Sequence, residues 1–240
     1  MPSWPIHIAL ANRLKRKYNF TDDFILGNVM PDATNGFIIK DISNVVSHSV
    51  THFNYQGPNR PPKNDTGKFL EVYKDKLDNP IVLGSLIHLI TDNYFNEYTI
   101  KNHVQFIEGK RFAILNDRSI TDSNTPMKLK QEDFGVFGNY LISNNELGNE
   151  INETDETRNL ISELSYSLID NDIDIIIGKV NSFITRDISK SYNLKMFTLE
   201  ELKKLFDECY NHLDSTIENY LENKKILVKR KDWWYVRKKI

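Results

Sequence analysis

The chain has 240 residues, of which 40% are hydrophobic and 27% are charged, a composition typical of a globular protein. Its longest strongly apolar run, residues 81–90, is broken by polar residues and is shorter than the roughly 18 residues that a membrane-spanning helix needs. At the amino terminus the basic residues follow the apolar stretch, the reverse of a secretory signal, so we expect a cytoplasmic protein. The single cysteine, Cys209, excludes an intrachain disulfide and a zinc site built from several cysteines.

The formal charge of -2 gives the whole chain no field that would attract nucleic acid, but the charge is unevenly distributed. Residues 224–240 contain eight Lys or Arg and one Asp, a charge of +7, which leaves -9 on the other 223 residues. We therefore divide the chain into one domain, residues 1–223, and a basic-aromatic tail, residues 224–240. The tail contains Trp233, Trp234 and Tyr235, which suits weak contact with a membrane surface; the alternative is that these rings pack on the domain.

Apolar residues recur at intervals of three and four along most of the chain, which predicts an all-α fold with a single helical domain. Helices are expected, in chain order, over residues 4–17, 22–29, 43–53, 68–77, 81–98, 131–142, 157–169, 173–184 and 198–223, with loops at 56–67 and 116–126. Pro31 is expected to end the second helix and to leave Asp32 in a turn. Thr198 and Glu201 form a capping-box pattern for the last helix.

The helix over residues 81–98 is apolar on almost every side, as expected of a central helix surrounded by the others. Its exceptions, Ser85, His88 and Asp92, are spaced by three and four residues and therefore share one face. Burying Asp92 in such a helix is costly unless a partner or a metal ion balances its charge. The sequence thus predicts a buried polar stripe with an unusual carboxylate.

Five of the six histidines lie within the first 103 residues. His88 and Asp92 are four residues apart, so an imidazole and a carboxylate face the same side of a helix and could bind one divalent ion. His48 and His52 repeat this spacing with two imidazoles. In isolation, a pair of this kind is more often a hydrogen-bonded structural pair than a metal site.

Four short motifs occur in a fixed order: His7 with Asn12-Arg13, Gly-x-x-x-Pro-Asp at residues 27–32, Thr-His-Phe at 51–53, and His-Leu-x-Thr-Asp at 88–92. Together they resemble the zinc-dependent phospholipase C family, whose superfamily also contains single-strand-specific zinc nucleases. The resemblance covers about the first 105 residues. It implies an all-helical fold with a zinc cluster that hydrolyses phosphate esters.

The resemblance also implies the metal ligands. One zinc would bind Asp32, His52, His88 and Asp92, and a second would share Asp92 and add His7. In secreted members the amine of an amino-terminal Trp completes the second site, whereas Trp4 of this chain is internal. The third zinc of the family needs a His-x-x-x-Glu pair, which this sequence lacks, so one or two zinc ions are expected.

From these residues we expect a zinc-dependent hydrolase in which activated water attacks a small-molecule or lipid phosphodiester, with Asp32 as the catalytic base. His48 and His103 are weaker candidates for the metal site. Two alternatives remain open: a zinc nuclease or small-molecule phosphoesterase with the same cluster, and a non-catalytic helical metal-binding protein. The charge of -9 on the domain disfavours nucleic acid as the substrate.

Overall fold

A computed structural model describes residues 2–55, 63–121, 126–164, 166, 168–188 and 192–223. In these ranges the chain forms nine α-helices and two short antiparallel hairpins, so the prediction of an all-α protein is confirmed. The predicted basic-aromatic tail, residues 224–240, lies outside the described residues, as do residues 56–62 of the first predicted loop and residues 122–125 of the second.

The elements follow the chain in this order: α1 (Trp4–Tyr18), α2 (Asp22–Ala33), α3 (His48–Thr51), β1 (Asn54–Tyr55), β2 (Lys63–Asn64), α4 (Thr66–Tyr73), a 3-10 turn (Lys74–Lys76), α5 (Pro80–His103), β3 (Val104–Ile107), β4 (Lys110–Ala113), α6 (Pro126–Ser143), α7 (Thr157–Ser162), α8 (Asp170–Ile184) and α9 (Leu199–Asn223). None of the described helices has the length and apolar character needed to cross a membrane.

Helix α5 is the central helix, and every residue from 81 to 92 is buried. It begins at Pro80, which needs no N–H in the first turn, and the side chain of Asn79 caps it by accepting the backbone N–H of Ile81 at 2.8 Å. Helices α2, α4, α7 and α9 all contact it. The polar stripe of α5 therefore points into the protein, as the sequence predicted.

Two glycines let the backbones of α2 and α5 approach each other closely. A Cβ atom on Gly84 would lie 2.3 Å from the carbonyl oxygen of Phe24, and one on Gly27 would lie 2.2 Å from that of Ile81. Real Cβ atoms do not come so close to backbone atoms, so any larger residue would force the helices apart. This close crossing brings the last turn of α2 against the polar stripe of α5.

The predicted end of the second helix was wrong. Helix α2 continues through Pro31 to Ala33, so Asp32 lies in its last turn and not in a loop. Because Pro31 has no N–H, the carbonyl of Gly27 loses its helical partner, and the hydroxyl of Ser85 on α5 donates to that carbonyl at 2.9 Å. A tertiary hydrogen bond thus replaces the helical one.

Other boundaries also differ from the predictions. Only α3 is helical within the stretch predicted as residues 43–53, and Val45 and Val50 are 59% and 56% exposed, so the apolar spacing there does not mark a buried face. Helix α7 ends at Ser162, not at residue 169.

The β3–β4 hairpin was not predicted. Its turn at Glu108 and Gly109 has positive φ at both residues, a conformation usually signalled by Asn-Gly. The capping contact at the start of α9 is confirmed, since the backbone N–H of Glu201 donates to Thr198 Oγ1 at 3.1 Å.

Candidate metal centre

The structure brings together the five side chains that the resemblance implied as metal ligands. His7 lies on α1, Asp32 in the last turn of α2, His52 directly after α3, and His88 and Asp92 on α5. Asp32 is 1% exposed and the other four are fully buried. A group of three imidazoles and two carboxylates in the protein interior needs a specific source of charge balance.

Their nitrogen and oxygen atoms face one another at short distances. His52 Nε2 lies 3.4 Å from Asp32 Oδ1 and 3.2 Å from His88 Nε2. His7 Nε2 lies 3.4 Å from Asp92 Oδ1. Two ligands of one tetrahedral zinc, each at about 2.0–2.1 Å from the ion, are about 3.3 Å apart, so these spacings suit a shared ion. Two sets of buried ligands emerge, each with its three ligand atoms within 4.8 Å of one another: Asp32, His52 and His88, and His7, His88 and Asp92.

The His88 ring can offer only one of its nitrogens. Its Nδ1 lies 2.7 Å from the carbonyl oxygen of Asn28, which can only accept a hydrogen bond, so the proton is on Nδ1 and the lone pair is on Nε2. Backbone carbonyls fix metal-binding histidines in the same way. Since one nitrogen binds one ion, His88 cannot serve both sets at once.

Asp92 has two oxygens and can face two sites. Its Oδ1 faces His7, whereas its Oδ2 lies 3.6 Å from His52 Nε2 and 3.8 Å from His88 Nε2. A carboxylate in this position could bridge two ions, one beside His7 and one beside the pair of His52 and His88. Since His88 can complete only one of the two sets, a second ion would keep two of the five side chains as ligands.

Several nitrogen and oxygen atoms of the cluster that could bind a metal ion have no hydrogen-bond partner among the described residues. Both ring nitrogens of His7 and Oδ1 of Asp92 are buried without a hydrogen bond, and the 3.4 Å between His7 Nε2 and Asp92 Oδ1 is an electrostatic contact only. Buried polar atoms are almost always paired, and unpaired ones usually indicate a missing water or ion. The unpaired atoms and the mixed imidazole-carboxylate set both fit a divalent ion of the zinc type.

Side chains around the cluster orient its ligands, and sequence reasoning missed most of them. The amide of Asn35 donates to Asp32 Oδ1 at 3.1 Å, and that of Asn64 donates to Asp92 Oδ2 at 3.0 Å. Thr51 Oγ1 lies 2.8 Å from Nδ1 of His52. Asn35 follows Asp32 by three residues, a spacing that predicts contact if Asp32 lies on a helix. No local feature of the sequence predicts that Asn64 contacts α5.

Burial and charge set the protonation of the cluster. Burial lowers the pKa of His88 to about 3, aided by the neighbouring His7, so the imidazole is neutral at pH 7. Burial raises the pKa of Asp32 and Asp92, but the surrounding imidazoles outweigh it and hold both below the usual value, with His52 acting most strongly on Asp32 and His88 on Asp92. Neutral imidazoles and ionised carboxylates are the forms that bind metal ions.

The two weaker candidates have other surroundings. The His48 ring stacks on the His52 ring at 3.7 Å between centroids, and the Asn54 amide donates to Nδ1 of His48 at 2.6 Å, so His48 packs against a candidate ligand. His103 belongs to neither set of ligands. Its Nε2 lies 2.7 Å from Glu201 Oε1 at the start of α9, and its Nδ1 lies 3.3 Å from the carbonyl of Ile114.

Comparisons of the chain with protein-family models, with curated proteins and with solved structures found no match. Any assignment of function therefore depends on the geometry of this centre and on the resemblance of its motifs.

Proposed function

We propose that the chain is a zinc-dependent hydrolase of phosphate esters, similar to the zinc-dependent phospholipases C, that acts in the cytoplasm on a small-molecule or lipid phosphodiester. The observation that carries the proposal is the convergence of three imidazoles and two carboxylates, with unpaired donor atoms on His7 and Asp92, in the protein interior. The order of the four sequence motifs supports it.

A divalent ion in this centre would supply a Lewis acid for phosphoryl oxygens and would lower the pKa of water. The protein's own groups supply orientation and proton transfer. Asn28 holds the proton of His88 on Nδ1, and Asn64 directs the carboxylate of Asp92. Asn35 donates to Oδ1 of Asp32, which leaves Oδ2 of this ionised carboxylate to accept a proton from an attacking water.

The charge of the domain favours one class of substrate. The domain carries -9, which would repel the polyanionic backbone of nucleic acid, whereas a single phosphodiester brings only one negative charge. A small or lipid phosphodiester therefore suits the chain better than single-stranded DNA. The basic-aromatic tail would add weak contact with an anionic membrane.

A second candidate function is a structural metal site in a non-catalytic protein. The observation that favours it is the burial of all five side chains, since structural zinc sites are closed whereas catalytic ones keep a position open to substrate. In that case the ion would hold α1, α2 and α5 together and would not turn over substrate.

Hydrolysis assays with zinc-loaded protein separate the candidates. We expect turnover of a short-chain phosphatidylcholine or a small choline phosphodiester, slower cleavage of single-stranded DNA, and a loss of at least about a hundredfold in Asp32→Asn. Glu201→Gln, which changes a carboxylate outside the cluster, is the control and should retain activity. Zinc-loaded protein that hydrolyses none of these substrates would favour the structural role, and faster cleavage of DNA would favour a nuclease.

A further inference from the structure

A lysine of helix α6 lies buried close to the metal centre. Lys130 is only 4% exposed, although lysine is among the residues least often buried. Its Nζ donates to Asn96 Oδ1 at 2.7 Å, and it makes no ion pair with a carboxylate in the part of the chain that the structure describes. A neutral amide is a weak partner for a buried ammonium group.

The contact with Asn96 places this ammonium beside the cluster. Asn96 follows Asp92 by four residues on α5, so the two side chains share a face and lie about 6 Å apart along the helix axis. Burial lowers the pKa of Lys130, and the charge of Asp92 is one of the influences that oppose this effect. Asn96 thus extends the polar stripe of α5 by one turn beyond the predicted ligands, and Lys130 of α6 binds to it.

The charges explain why a cation at this position is useful. The carboxylates of Asp32 and Asp92 contribute -2, which one divalent ion cancels. Among these groups alone, Lys130 then leaves a net charge of +1, and a second ion would raise it to +3. An uncompensated buried charge is costly, so the metal-loaded centre should attract an anion.

We propose that Lys130 forms an anion subsite of the metal centre that takes the phosphate group of the substrate. The inference rests on the proposed function, because without the metal the two carboxylates would repel an anion. A tetrahedral oxyanion suits the subsite because a lysine ammonium offers three rotatable donors and can satisfy Asn96 and phosphate oxygens together.

Calorimetric titration of inorganic phosphate into zinc-loaded protein tests the subsite without any turnover. We expect Lys130→Met and Lys130→Gln to weaken phosphate binding by at least about tenfold, the size expected for loss of a charged hydrogen bond, with unchanged zinc content. Lys130→Arg keeps the charge and should bind within a few-fold of the wild type. Lys128→Met removes a charge from the same helix at a position 79% exposed and should bind like the wild type. The Gln side chain can still donate to Asn96, so Lys130→Gln tests the loss of charge even if Lys130→Met disturbs folding.

The results distinguish the subsite from the metal site. Zinc-loaded Lys130→Gln that binds phosphate as tightly as the wild type would overturn the inference and leave the metal centre standing, as would wild-type protein that takes up zinc but no phosphate. An equal loss in Lys128→Met would show a general charge effect and overturn it as well. Wild-type protein that takes up no zinc would contradict the proposed function, and the subsite with it.

Discussion

Helix α5 carries two buried histidines near acidic side chains, and their surroundings differ. Each ring nitrogen of His103, at the end of the helix, faces an acceptor: Nε2 lies 2.7 Å from Glu201 Oε1 and Nδ1 lies 3.3 Å from the carbonyl oxygen of Ile114. The same carboxylate accepts from the hydroxyl of Tyr98 at 2.8 Å and helps to cap α9. At this end of α5, a hydrogen-bond network joins the helix to α9.

The cluster around His88 is less completely paired. Both ring nitrogens of His7 and Oδ1 of Asp92 are buried there without a hydrogen-bond partner. A buried histidine next to a carboxylate is therefore not evidence of a metal site by itself. The two places differ because the cluster has buried polar atoms for which the described residues supply no partner, and an ion could fill that role.

Zinc should stabilise the protein by binding to the cluster around His88 and not to the network at His103. At a thousandfold excess over its dissociation constant, zinc adds about 4 kcal/mol to the free energy of unfolding, which corresponds to a rise of about 10 °C in Tm for a chain of this size. Asp92→Asn should abolish most of this rise, whereas Glu201→Gln should keep it. Differential scanning calorimetry with and without chelator measures both. A zinc response that survives in Asp92→Asn but disappears in Glu201→Gln would reverse the two roles.

The close crossing of α2 and α5 should matter to the cluster more than to the rest of the fold. Gly84→Ala places a methyl group against the backbone of α2 and should lower the free energy of unfolding by about 1–3 kcal/mol or more, and weaken zinc binding by moving Asp32. Gly135→Ala is the matched control, because a Cβ there meets nothing within 4 Å, and it should be neutral or slightly stabilising. Urea unfolding and zinc titration check the pair. Equal effects of the two substitutions would contradict the account of the crossing.

The sequence predicted the central helix, its polar stripe and the all-α class because these depend on periodicity within one segment. It failed at Pro31, because the hydrogen bond that lets α2 continue comes from Ser85, more than fifty residues further along the chain. It could not find Lys130 or Asn64 for the same reason: their contacts with the α5 stripe depend on how distant segments pack. It also could not separate His103 from His88, since both are histidines on one helix and differ only in their partners.

Acid should weaken the network at His103. Burial raises the pKa of Glu201, but the hydrogen bonds from His103 and Tyr98 outweigh it and hold the pKa below 4.5. A lowered pKa means that the contact stabilises the fold fully above about pH 4.5 and is lost as the pH falls through the folded-state value. In metal-free protein, Glu201→Gln should therefore lose less stability than the wild type on acidification below pH 4.5. Tm measured against pH tests this small effect, and parallel curves for the two proteins would contradict it.

The most direct test of the account is the metal content of the purified protein. We expect wild-type protein prepared without chelator to contain at least about one zinc per chain, His88→Ala to lose most of it, and His103→Ala to retain it in full, because only the first substitution removes a ligand. Elemental analysis together with zinc reloading gives the result. Folded wild-type protein that contains no metal and cannot be loaded, or a His103→Ala variant that loses as much zinc as His88→Ala, would contradict the assignment of the cluster as a metal centre.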